Sequence, residues 1–174
     1  MTPEQAEMTA TMAEYEQLVA EILLAAKSTI CEHCEHSFQE LNDSGQFNLR
    51  NAKDAIAHSA EQGCKYSGRI STDLFDTATL KDYPDIMRRL NEGKLDPITA
   101  SKYTMTLHIK SLLNAMQNMI VLRVGKQLNN GNPTQQDVLQ ILNDESEKIR
   151  QELYSVFTKM IQDGILAQNS FMTK

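Results

Sequence analysis

The chain has 174 residues and a mass of 19.7 kDa, which suits one domain of ordinary size and leaves little room for a second independent core. Seven Gly, four Pro and no Trp are too few turn and edge residues for a β-sandwich or barrel, while 40 Leu, Ile, Val and Phe lift it out of the disordered class. The formal charge of −6 is uneven: residues 1–48 carry nine acidic side chains against one Lys, and residues 49–131 carry twelve basic against eight acidic.

The first predicted helix opens at Thr2-Pro3-Glu4-Gln5, where Thr2 can cap, Pro3 fits the first turn and Gln5 can close a capping box. Met8, Met12, Tyr15, Val19, Ile22, Leu23, Ala26, Ile30, Cys34, Phe38 and Leu41 then recur at steps of three and four residues until Asn42-Asp43-Ser44-Gly45 supplies a stop. Such a helix would run close to 60 Å, at about 1.5 Å per residue, so a break near Ser28-Thr29-Ile30 or a projecting N-terminal part is expected. The next segment, from Asn48 to Ser67, places Leu49, Ala52, Ile56, Ala60 and Cys64 on one stripe, with Gly63 and Gly68 weakening its end. Ser71-Thr72-Asp73 reads as the cap of a short element carrying Leu74, Phe75 and Leu80.

Asp82-Tyr83-Pro84 begins another short helix through Leu90, closed by Asn91-Glu92-Gly93. Asp96-Pro97 repeats that signal ahead of a long segment whose apolar face holds Met105, Ile109, Leu112, Met116, Met119, Ile120 and Val124, ending at Asn129-Asn130-Gly131. A last helix starts at Thr134, with Asp137 three residues on as a capping partner. It carries Val138, Ile141, Leu142, Ile149, Leu153, Val156, Phe157, Met160 and Ile161 before Asp163-Gly164 interrupts the pattern. No repeat or linker divides these elements. The expected fold is all-α: one domain over residues 1–174, a helical bundle with three long helices and shorter connecting ones, in which residues 1–22 project or serve self-association.

No stretch approaches 18 consecutive apolar residues, and no basic segment followed by an apolar run opens the chain. No membrane span or secretion signal is therefore expected, and a cytoplasmic location follows. Three cysteines in a reducing compartment fit free thiols.

Reactive side chains concentrate in Cys31-Glu32-His33-Cys34-Glu35-His36. On a straight helix these four thiol and imidazole groups cannot all reach one ion, so a zinc or iron site would need a neighbouring helix. The candidate ligands are His33, His36, Cys34 and Cys64. The alternative places Cys34 and Cys64 in the core and the histidines on the surface. A redox Cys-x-x-Cys pair wants a helix N-terminus, whereas Cys31 and Cys34 sit deep in a helical pattern with Glu32 and Glu35 adjacent, which would raise the thiol pKa. His108 lies beside methionines that fill bundle interiors. No nucleophile elbow, phosphate loop or repeated Glu-x-x-His pair is present, so enzymatic activity is not expected.

The expected function is that of a non-enzymatic interaction or regulatory protein binding a protein partner or itself, most simply as a homo-oligomer. The apolar strip Met8, Met12, Tyr15, Val19 and Ile22 would be its contact, because a helix of this length outruns its neighbours. A metal- or thiol-based sensor built on Cys31 to His36 is the alternative. A weaker one is a DNA-associated accessory role through Arg88, Arg89, Lys94, Arg123 and Lys126, which the acidic first third opposes.

Overall fold

The computed structural model describes residues 2–74, 83–95, 97–128 and 132–172. Among these residues are five helices and no strand: α1 Pro3–Asp43, α2 Leu49–Leu74, α3 Tyr83–Asn91, α4 Pro97–Gln127 and α5 Gln135–Met172. The all-α expectation holds, but four helices are long rather than three, at 41, 26, 31 and 38 residues, and α3 alone is short at nine.

The extra long helix is α2, which passes through both glycines instead of stopping at them. A Cβ on Gly63 would stand 2.5 Å from Ile30 Cγ1, and one on Gly68 would meet Leu113 Cδ1 at 3.9 Å. Gly63 thus marks a close approach to α1. The contacts made along α2 outweigh the roughly 1 kcal/mol by which each glycine disfavours a helix interior. α1 is likewise continuous through Ser28, Thr29 and Ile30, and the α5 backbone continues past Asp163-Gly164. Phe75 and Leu80, the Asp96 cap and the stop at Asn129-Asn130-Gly131 lie outside the described residues.

Helix ends follow local chemistry. Gly45 and Gly93 both have φ of 69°. Gly45 N–H donates to Asn42 O at 3.0 Å and Gln46 N–H to Leu41 O at 2.7 Å. Gly93 and Lys94 repeat the pattern on Leu90 and Arg89. Each glycine is the left-handed residue of a Schellman motif. At the head of α5, Thr134 N–H donates to Asp137 Oδ2 at 3.1 Å and Asp137 N–H to Thr134 Oγ1 at 3.2 Å, a reciprocal capping box. Asn48 caps α2 through its Oδ1, which accepts from Asn51 N–H at 2.8 Å.

The four long helices form a bundle in which α1 and α4 are diagonal, each packed between α2 and α5, and α3 rests against α4. Polar pairs fix the antiparallel registers. Lys27 Nζ meets Glu147 Oε2 at 2.9 Å and Tyr154 OH donates to Glu16 Oε1 at 3.4 Å between α1 and α5, while Asn42 donates to Gln135 at their other end. Between α4 and α5, Arg123 grips Glu152 with both guanidinium nitrogens, at 3.0 and 2.7 Å, and Gln127 Nε2 donates to Glu145 Oε1 at 2.5 Å. The stripes meet inside: Leu23, Ile30 and Phe38 of α1, Ile109 and Met116 of α4, and Phe157 of α5 are fully buried. Burial of that order, at about 25 cal/mol per Å² of apolar surface, is the main stabilising contribution.

Candidate functional site

The Cys31 to His36 segment lies inside α1, which packs against α2 and α5. Its periodicity turns Cys34 fully inward, leaves Cys31 half-buried and exposes His33 and His36. Across the seam, α2 presents His58 and Ser59. Ser59 is buried, and its hydroxyl lies 2.7 Å from His33 Nδ1 and also hydrogen-bonds the Cys34 side chain. The His33 and His58 rings stand 5.7 Å apart between centroids, tilted at 54°. The result is a small polar bridge between α1 and α2. A seryl nucleophile would need an approach from solvent, and Ser59 has no exposed surface.

The ligands expected for zinc or iron are not brought together. His36 turns to Glu40 on its own helix, with Nε2 and Oε1 3.3 Å apart at the exposed surface. Cys64 lies in the core between α2 and α4, with a hydrogen bond to the Gln117 backbone. No group of three or more His, Cys, Asp or Glu is placed to hold an ion among the described residues. The reason is the helical period: positions 33, 34 and 36 diverge around the axis, and Cys64 lies five residues beyond Ser59 along α2, more than one turn away.

All three thiols are held toward their neutral form. Burial pushes Cys34 up to about 12, against a lowering hydrogen bond from Ser59, and does the same to Cys64. Cys31 is also raised, by burial first, with Lys27 acting in the lowering direction. A thiol poised for redox or metal chemistry is shifted the other way. His108 is half-buried, and desolvation lowers its pKa.

Four of the five cations considered for DNA are already paired. Arg88 reaches Asp85 and Glu92, Arg89 reaches Asp85, Lys94 reaches Glu92, and Arg123 reaches Glu152. Sequence reasoning passed over a different set. Lys65 and Arg69 of α2 and Lys110 of α4 line a groove of about 430 Å³ together with Glu61, Asn114 and Gln117. A sequence signal existed in part, since Lys65 and Arg69 are one helical turn apart, but only the α2–α4 register brings Lys110 to them.

The strip expected to be exposed on α1 is mostly covered. Tyr15, Val19 and Ile22 retain 4%, 0% and 5% of their surface, because α5 packs along α1 there, with Tyr154 at Glu16, and α2 reaches as far as the level of Val19. The Met8 and Met12 side chains lie outside the described residues. Exposed large apolar side chains among the described residues, such as Leu24, Tyr66, Leu122 and Val156, are spread over all four long helices, as is ordinary for a protein surface. No helix among the described residues is long and apolar enough to cross a membrane. Comparison of the chain with protein-family models, with curated proteins and with solved structures finds no match.

Proposed function

We propose that this protein is a non-enzymatic helical interaction module that binds a second copy of itself through the N-terminal turns of α1. The observation that carries the reading is one of register. His33 stands opposite Ser59 and Ile30 opposite Gly63, so Leu74, the last residue of α2, falls level with about residue 19 of α1 at the antiparallel helical rise of about 1.5 Å per residue. Among the described residues no part of α2 flanks the turns before that level, where the sequence period sets Met8 and Met12 on the same stripe as Tyr15 and Val19. A helix from a second chain would pack there, with Glu7, Glu14 and Glu21 outside the seam.

Light scattering across a concentration series tests this, comparing the natural chain with Met8→Glu/Met12→Glu. The natural chain should rise above the mass of one chain with concentration, and the double variant should stay at one chain with unchanged helical circular dichroism. A natural chain of single-chain mass throughout removes the proposal, as does a double variant that associates equally well.

A further inference from the structure

The groove between α2 and α4 concentrates basic side chains. Its walls bring three cations, Lys65, Arg69 and Lys110, around 430 Å³ of space with a single carboxylate, Glu61. None of the three cations takes part in an ion pair or hydrogen bond among the described residues, whereas the basic side chains of α3 and several on α4 and α5 are held by carboxylates. Glu61 lies one turn before Lys65 on the same helix, a spacing that permits a pair, yet the two are not paired. The acidic side chains of the first 48 residues lie on α1, diagonal to α4.

The groove also has room and uncharged donors. Gly68 adds no side chain to it, and an added Cβ would meet only Leu113, at 3.9 Å. Asn114 and Gln117 bring amides from α4, and buried Cys64 behind them holds a neutral thiol that adds no negative charge. Like charges converging in one groove repel one another, and an anion entering it would relieve that repulsion while gaining charge-assisted hydrogen bonds from all three. The volume is that of a small-molecule site. A chain of net charge −6 disfavours a long polynucleotide, whose other phosphates would meet acidic surface.

We propose that the α2–α4 groove is a binding site for a small, multiply charged anion, held by Lys65, Arg69 and Lys110. Phosphate and carboxylate groups share the chemistry the site recognises, so the probes are inorganic pyrophosphate and citrate. Each is titrated into the full chain with amide chemical shifts as the readout. Saturable shifts confined to residues 61–69 and 110–117 are expected. Stronger binding of pyrophosphate would identify a phosphate site, and stronger binding of citrate a carboxylate site. Lys65→Gln and Lys110→Gln, both exposed positions, should each weaken binding about tenfold, because one charge-assisted contact is lost. Lys126→Gln, on the same helix but outside the groove, should leave it unchanged. The proposal is overturned if neither anion saturates at millimolar concentration, if the two groove variants bind like the natural chain, or if Lys126→Gln weakens binding equally. A short DNA duplex that shifts the same residues at lower concentration than either small anion would overturn it too. This test leaves self-association untouched, since Met8→Glu/Met12→Glu alters no groove residue.

Discussion

Cys34 and Cys31 are one turn apart and differ in what surrounds them. Cys34 is fully buried and shares a hydrogen bond with Ser59, while Cys31 keeps part of its surface. Native protein treated with a thiol reagent should therefore label at Cys31 first, with Cys34 and Cys64 reacting only after denaturation. Rapid labelling of Cys34 in the native protein would show that the α1–α2 seam opens. Cys34→Ser should lower stability by only about 1 kcal/mol, the low end for a buried hydroxyl, because Ser59 offers it a partner. The inward position of Cys34 was readable from the apolar stripe. Ser59 as the shared partner of Cys34 and His33 was not, because it depends on which α2 residue comes level with them. The same ignorance of register made a split metal site conceivable: periodicity places a side chain on a face but does not say what stands opposite.

At the scale of a helix, the legible features are those decided within four residues. The Thr134–Asp137 box, the Gly45 stop and the Gly93 stop are each closed by hydrogen bonds between near neighbours in the chain. The misread features are those decided by a neighbouring helix. Gly63 and Gly68 carry local stop chemistry, yet α2 runs through both, with α1 pressed against it at Gly63 and α4 packed along it. The two classes can be separated by substitution. Thr134→Ala removes the acceptor for Asp137 N–H and should destabilise by about 1 kcal/mol, a fall in melting temperature of about 2–4 °C for a chain of this size. Thr134→Ser should retain nearly all the stability, since the serine oxygen can cap equally well. An alanine variant as stable as the natural chain would mean that the box contributes nothing once α5 is packed.

For the whole molecule, polar pairs between helices couple the bundle to pH, and Glu147 is the strongest case. Its carboxylate accepts from Arg150 at 2.5 and 2.9 Å, from Lys27 of α1 at 2.9 Å and from Gln151 at 3.0 Å. The Arg150 hydrogen bonds first, and Lys27 second, hold the carboxyl well below the usual range. A folded pKa below the unfolded one means that the folded state binds fewer protons between the two values. The contribution is therefore complete above the unfolded pKa of about 4.3 and drains away as pH falls toward the folded value. The thiols act in the opposite sense. Cys34 and Cys64, raised to about 12 by burial, contribute fully below an unfolded thiol pKa of about 8.5 and lose that contribution as pH rises toward the folded value. Stability should plateau between about pH 5 and 8 and fall on both sides. Glu147→Gln isolates the acid limb, because glutamine keeps the shape and loses the charge. In urea unfolding the variant should be less stable than the natural chain near neutral pH, and the gap should narrow as pH is lowered to about 3, where the natural carboxylate takes up a proton on unfolding. Glu147 is a third exposed, so solvent screening keeps the gap modest and added salt should shrink it further. A gap of the same size at both pH values and insensitive to salt would assign the loss to packing at the α1–α5 seam instead of charge.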